Sequence, residues 1–91
     1  MKIFIRVLVN GDLLLKEVEA FPVIGYDSIA IVKLGKWWNI YDVPTGLKIL
    51  SATTKKLAIE NLHLKRYKAQ NARKTQLYQK RIKEFEEMKK L

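Results

Sequence analysis

Catalysis at neutral pH draws on histidines, nucleophilic hydroxyls and paired carboxylates, so those residues come first. The single histidine, His63, stands between Leu62 and Leu64, and Glu60 lies three residues before it on the same face of any helix formed there. A catalytic histidine also needs a nucleophile or a substrate pocket, and no other element of such a site is evident, so His63 reads as a structural or surface residue. Ser28 and Ser51 sit in turn and cap contexts without a nucleophile-elbow motif around them. Asp12, Asp27 and Asp42 are scattered among turns and strand ends, with no spacing that suggests a metal cluster. There is no cysteine, hence no disulfide and no thiolate site, and no glycine-rich phosphate loop. The expectation is a non-enzyme with no metal and no cofactor.

The cations are the stronger signal. The chain of 91 residues carries a formal net charge of +9. Residues 1–54 hold six Lys or Arg against five Asp or Glu, whereas residues 55–91 hold twelve against four. Such asymmetry points to nucleic acid or another anionic surface. Lys55, Lys56, Lys65, Arg66, Lys68, Arg73, Lys74, Lys80, Arg81 and Lys83 would place cations along most of a C-terminal helix, where phosphate neutralisation supplies nonspecific affinity. A solvated basic helix is the bland alternative. Near the end, Lys80/Glu84, Lys83/Glu87 and Glu86/Lys90 are i,i+4 pairs that would simply stabilise a helix.

Two apolar features ask for partners. Trp37 and Trp38 are adjacent, so in a strand they point to opposite faces. One belongs to the core; the other, beside Lys36 and with Lys33 and Lys48 on neighbouring strands, would form a base-stacking platform unless helix, loop or a second subunit covers it. Leu77, Tyr78, Ile82, Phe85 and Met88 form a stripe that folds back on the sheet, pairs with a second copy as a homodimer, or binds another protein. Because the segment before it is polar, contact away from its own sheet is the expectation.

These residues need elements to position them. Ile3 to Val9 reads as a strand, Asn10-Gly11 as a hairpin turn, and Leu13 to Phe21 as the returning strand, with Lys16, Glu17 and Glu19 toward solvent. Pro22 ends that strand or places it at an edge. Ile29 to Leu34, a turn at Gly35-Lys36, Trp37 to Val43, a turn at Pro44-Thr45-Gly46 and a short strand from Leu47 to Leu50 complete an antiparallel meander. No Gly or Pro follows Gly46, and Ser51, Thr53 or Thr54 can cap a helix whose apolar side is Leu57, Ala58 and Leu62. An unbroken helix from Thr54 would be ~55 Å long, so its far end should overhang the sheet.

The stretch Lys36-Trp37-Trp38-Asn39-Ile40-Tyr41-Asp42-Val43-Pro44-Thr45-Gly46, followed by Thr54-Lys55-Lys56-Leu57-Ala58, resembles the arm-type DNA-binding domain of tyrosine integrases from phages and conjugative elements. That family shows an aromatic strand, a Pro-x-Thr-Gly or similar turn, a basic strand, then Thr-Lys-Lys-x-Ala opening a helix. The resemblance implies a three-stranded sheet laid on the DNA major groove with the helix behind it. It covers residues 36–58. This chain departs from the pattern in a shorter segment between Gly46 and Thr54, a single lysine between Leu47 and Leu50, two additional N-terminal strands, and no recombinase domain. Small phage proteins of this kind include DNA-binding accessories and inhibitors of host defence nucleases, such as anti-CRISPR proteins.

The expected architecture is therefore α+β: one domain, residues 1–91, in which a four- or five-stranded antiparallel meander (1–53) precedes a long basic helix (54–91) with a projecting end. The expected function is nucleic-acid binding, DNA or RNA, by backbone contacts of low sequence specificity, with Lys36, Trp37 and Lys48 contributing from the sheet. The alternative is an inhibitor of a host nuclease complex acting by protein or guide-RNA contact. No apolar run reaches the roughly 18 residues of a membrane span, and Lys2 leads into an alternating stretch unlike a signal peptide. Lack of cysteine fits a reducing compartment. The expected location is the cytoplasm of a bacterial or phage-infected cell.

Overall fold

The computed structural model describes all 91 residues, Met1–Leu91. It is an α+β arrangement of two antiparallel sheets and three helices. β1 (Lys2–Val9) and β2 (Asp12–Glu19) form a hairpin that stands as its own two-stranded sheet. Asn10 and Gly11 join them with φ values of 52° and 84°. Positive φ at both central residues is what a tight I′ turn requires, and its twist matches the flanking strands. β3 (Phe21–Pro22), β4 (Ile29–Leu34), β5 (Trp37–Asp42) and β6 (Leu47–Ala52) make the second sheet in sequence order.

The single meander expected from the sequence is thus split. The chain leaves the hairpin at Glu19, and Ala20, wholly buried, carries it across to the second sheet. Ala20 N–H donates to the Met1 carbonyl at 2.7 Å as it crosses. Pro22 lies on an edge strand, where its missing N–H does no harm.

The second sheet is covered on both faces. Toward one face Ile29, Ile31, Ile40, Leu50 and Ala52 pack on Ala58 and Leu62 of α1 (Lys55–Leu64). Toward the other, Ala30, Val32 and Tyr41 pack on Ile3, Ile5, Val18 and Ala20. Strand periodicity explains the division, since neighbours along β4 alternate between the two clusters. Each fully buried Leu or Ile in these layers contributes about 1.5–3 kcal/mol. Leu57 stays exposed, so the docked side of α1 is Ala58 and Leu62, with Ile59 partly buried.

The long helix expected over 54–91 is instead three helices, and the projecting end is absent. α1 ends at Leu64 with Lys65 as its cap, α2 (Arg66–Ala72) is short, and α3 (Gln76–Lys89) starts anew. Thr75 causes the second break: its backbone is extended, with φ −89° and ψ 155°, and its hydroxyl caps α3 by accepting from Tyr78 N–H at 3.1 Å. The same hydroxyl donates to the Ala72 carbonyl at 2.8 Å, closing the end of α2. The molecule consequently measures 35 × 31 × 24 Å, shorter in every direction than the ~55 Å rod.

Candidate nucleic-acid interface

The geometry is built around Asp42, the last residue of β5. Its carboxylate is buried and lies in the turn to β6. Oδ2 accepts from Thr45 N–H at 3.2 Å and from the Thr45 hydroxyl at 2.6 Å. Oδ1 accepts from Arg73 Nε at 3.0 Å and Nη2 at 2.6 Å. The Tyr78 hydroxyl donates to both oxygens at 3.0 Å. Arg73 also donates to the carbonyls of Asp27 and Ser28 at 2.7 and 3.0 Å. Burial, reinforced by the Asp42 charge, pushes the Tyr78 phenol up to about 12. This node ties α2 and α3 to the ends of β4 and β5.

Gly46, at φ 68°, ends the same turn. A Cβ there would lie 2.9 Å from Phe85 ring atoms, so only glycine admits the ring. Phe85 is buried against it. The Arg6 guanidinium lies 5.7 Å from the Phe85 centroid, with Nε donating to the Thr45 carbonyl at 2.7 Å and Nη2 to the Arg81 carbonyl at 2.8 Å. The expected outward stripe is thereby corrected. Phe85 is core, Tyr78, Ile82 and Met88 are half-buried, and Leu77 alone is exposed, because a glycine turn and Arg6 give the stripe a seat on its own domain.

Arg73 and Arg81, two of the expected phosphate contacts, are correspondingly engaged elsewhere. Arg73 neutralises Asp42. Arg81 Nη1 donates to both Glu84 oxygens at 3.1 and 2.9 Å. Those bonds, with Arg6 at 3.6 Å, hold the Glu84 carboxyl below its usual range against the opposing effect of desolvation. The expected i,i+4 pairs are replaced by the i,i+3 pairs Arg81–Glu84 and Glu86–Lys89.

The remaining cations divide by position. Five of the eighteen Lys and Arg residues make ion pairs, namely Lys2, Arg6, Arg73, Arg81 and Lys89. Among those that make none, Lys48 of β6, Lys65 between α1 and α2, and Lys68 of α2 converge on one cleft of about 260 Å3. Leu47, Ile49, Ala69 and Ala72 give it apolar walls, and the Asp42–Arg73–Tyr78 node lies at its back. Because Asp42 is saturated by donors, an anion entering the cleft meets three free ammonium groups and a neutralised carboxylate. Lys55 lies 5.6 Å from the Phe21 ring centroid and Arg66 stacks on Tyr67 at 4.9 Å, both on the surface. Lys56, Lys74, Lys80 and Lys83 are exposed, as is Lys36 in the β4–β5 turn, and none of these lines the cleft.

The tryptophans separate as strand geometry requires. Trp38 packs against the α1-side core under Lys33, whose Nζ is 5.5 Å from its ring. Trp37 is 52% exposed on the opposite face. It borders an open hollow shared with Leu34, Asn39, Tyr41, Lys48 and Ser51. Sequence reasoning paired Trp37 with Lys48 but missed Asn39, Tyr41 and Ser51. The period-2 spacing of Trp37, Asn39 and Tyr41 was the available signal. His63 has a partner that sequence reasoning also missed, since its Nδ1 shares a 2.6 Å hydrogen bond with the Tyr26 hydroxyl. That bond ties α1 to the β3–β4 loop.

No protein-family model, no curated protein and no solved structure matches the chain. The β4–β5–β6 sheet carries α1 on one face and the β1–β2 hairpin on the other. No group of His, Cys, Asp and Glu is arranged to hold a metal, and no helix is long and apolar enough to cross a membrane.

Proposed function

We propose that this chain is a non-enzymatic nucleic-acid-binding protein of phage or mobile-element type, holding phosphates with low sequence specificity. The observation that carries the reading is the convergence of Lys48 from β6, Lys65 from the α1–α2 junction and Lys68 from α2 on one cleft in a chain of net charge +9. No internal carboxylate pairs with them, so they stand available to phosphates. Arg66, Lys55 and Lys56 extend the cationic surface. The resemblance of residues 36–58 to integrase arm domains supports the mobile-element origin. Backbone contact by lysine point charges carries no base information.

Fluorescence anisotropy with random duplex and single-stranded oligonucleotides tests this across a salt series. With four to six phosphate contacts, log affinity for duplex falls with log salt at a slope of roughly −3.5 to −5.5. Absence of binding to any oligonucleotide below about 100 μM in low salt would overturn the reading.

One observation favours a second reading, a protein inhibitor of a host defence nuclease. At the hairpin tip Leu8 and Leu13 pair across the strands and are exposed on one face of the ribbon, while Val9 and Leu14 are exposed on the other, so the tip is apolar on both sides. A patch of this kind marks a protein contact. In that case free oligonucleotides fail to bind, and Leu13→Glu abolishes inhibition of the nuclease.

A further inference from the structure

We infer that the hollow beside Trp37 seats one unpaired base of a single strand, with Lys48 leading its phosphate toward the cationic cleft. This rests on the nucleic-acid reading and deepens it by naming the strand form. Trp37, Asn39 and Tyr41 share the face of the sheet that the hairpin covers, yet the cover stops short of Trp37. What remains open is a hollow of about 420 Å3, within the ~300–1,000 Å3 of small-ligand sites.

Three features give the hollow its ligand class. Trp37 has no cation or aromatic ring stacked on it, unlike Trp38, so its π-face is free for a planar group. The floor is polar: Ser51 Oγ donates to Asn39 Oδ1 at 2.6 Å, and Asn39 Nδ2 donates to the Trp37 carbonyl at 3.3 Å. That leaves one amide hydrogen and the serine lone pairs for the edge of a base. Lys48 lines both this hollow and the cleft that holds Lys65 and Lys68. A planar group with a phosphate attached fits the pairing of the two sites, whereas an arginine side chain of a partner would meet like charge. Bases inside a duplex are stacked on their neighbours and cannot lie on the shelf, so the preference is for single strands.

Anisotropy with labelled oligo-dT of about 12 nucleotides, its abasic counterpart and a duplex of equal length tests the assignment. Trp37→Ala should weaken oligo-dT binding by about 5- to 100-fold, while Trp37→Phe keeps most of it. Both variants should leave duplex and abasic affinities within about twofold, because phosphate contacts are untouched. Unchanged thermal unfolding confirms that the half-exposed ring is not holding the fold. If Trp37→Ala leaves oligo-dT binding intact while Lys65→Ala and Lys68→Ala weaken every probe, the base seat is wrong and the phosphate reading stands. Equal losses on all three probes likewise overturn the seat. If wild-type protein binds none of them, both readings fall together.

Discussion

Lys68 and Arg73 lie five residues apart on a stretch that composition treats as uniformly basic, yet their surroundings divide them. Lys68 makes no ion pair and lines the cleft, whereas Arg73 completes the hydrogen bonding of a buried aspartate. Arg73→Ala should cost about 2–4 kcal/mol in urea unfolding, because it strips the charge partner from Asp42 while Tyr78 and Thr45 still donate. Lys68→Ala should stay within about 0.5 kcal/mol of wild type, weaken binding about equally across sequences and flatten the salt slope by about one unit. A salt slope that changes with Lys68 and Arg73 alike, at equal stability, would show Arg73 to be a phosphate contact after all. Tyr78 adds a pH dependence. Its folded-state value is raised to about 12 from an ordinary 10.0, so its contribution is complete below pH 10 and is lost as pH rises toward 12. Burial raises Tyr41 in the same direction. Tyr78→Phe should therefore shrink the alkaline fall in stability without abolishing it, as followed by circular dichroism across that range.

At the scale of elements, much was legible before the structure. Asn10-Gly11, Gly35-Lys36 and Pro44-Thr45-Gly46 all turn where turn chemistry places them, and Ile29 to Leu34 pairs with the strand expected over Trp37 to Val43, which ends one residue early at Asp42. Local sequence encodes such features because a turn depends on two to four residues. The hairpin's separation into its own layer was not legible, since alternation in Ile3 to Val9 fixes which residues are buried but not which sheet buries them. The helix breaks were half-legible. Thr75 is the one Ser or Thr after Thr54, and its capping role competes with its place in a run of helix formers. The cleft was invisible because Lys48 and Lys68 meet only through the α1–β6 packing. Two substitutions test that packing. Leu62 is fully buried, so Leu62→Ala should cost about 2–4 kcal/mol through the cavity it leaves. A loss under about 0.5 kcal/mol would mean that α1 is not docked on the sheet. Gly46→Ala should cost about 2–4 kcal/mol, combining strain at positive φ with displacement of the Phe85 ring.

For the whole molecule, the decisive question is what the last seventeen residues do, 75–91. A projecting tail that dimerises and a tail that closes its own domain make opposite forecasts. In the first case stability includes association, so the unfolding midpoint rises with protein concentration and removal of the tail leaves a folded monomer. In the second, α3 supplies Phe85 to the Gly46 turn, Tyr78 to Asp42 and Glu84 to Arg6, none of which has a replacement within the chain. Removing residues 75–91 would then leave Asp42 and Arg6 short of partners and uncover the glycine turn. Loss of a buried phenylalanine alone costs about 3–5 kcal/mol, a large share of the roughly 5–15 kcal/mol that holds a domain together. Chemical denaturation of the full chain at two concentrations a hundredfold apart should give coincident curves, and the truncated chain should be largely unfolded at 37 °C. A midpoint that climbs with concentration, together with a truncated chain of unchanged stability, would restore the dimerising tail and remove the closed domain described above.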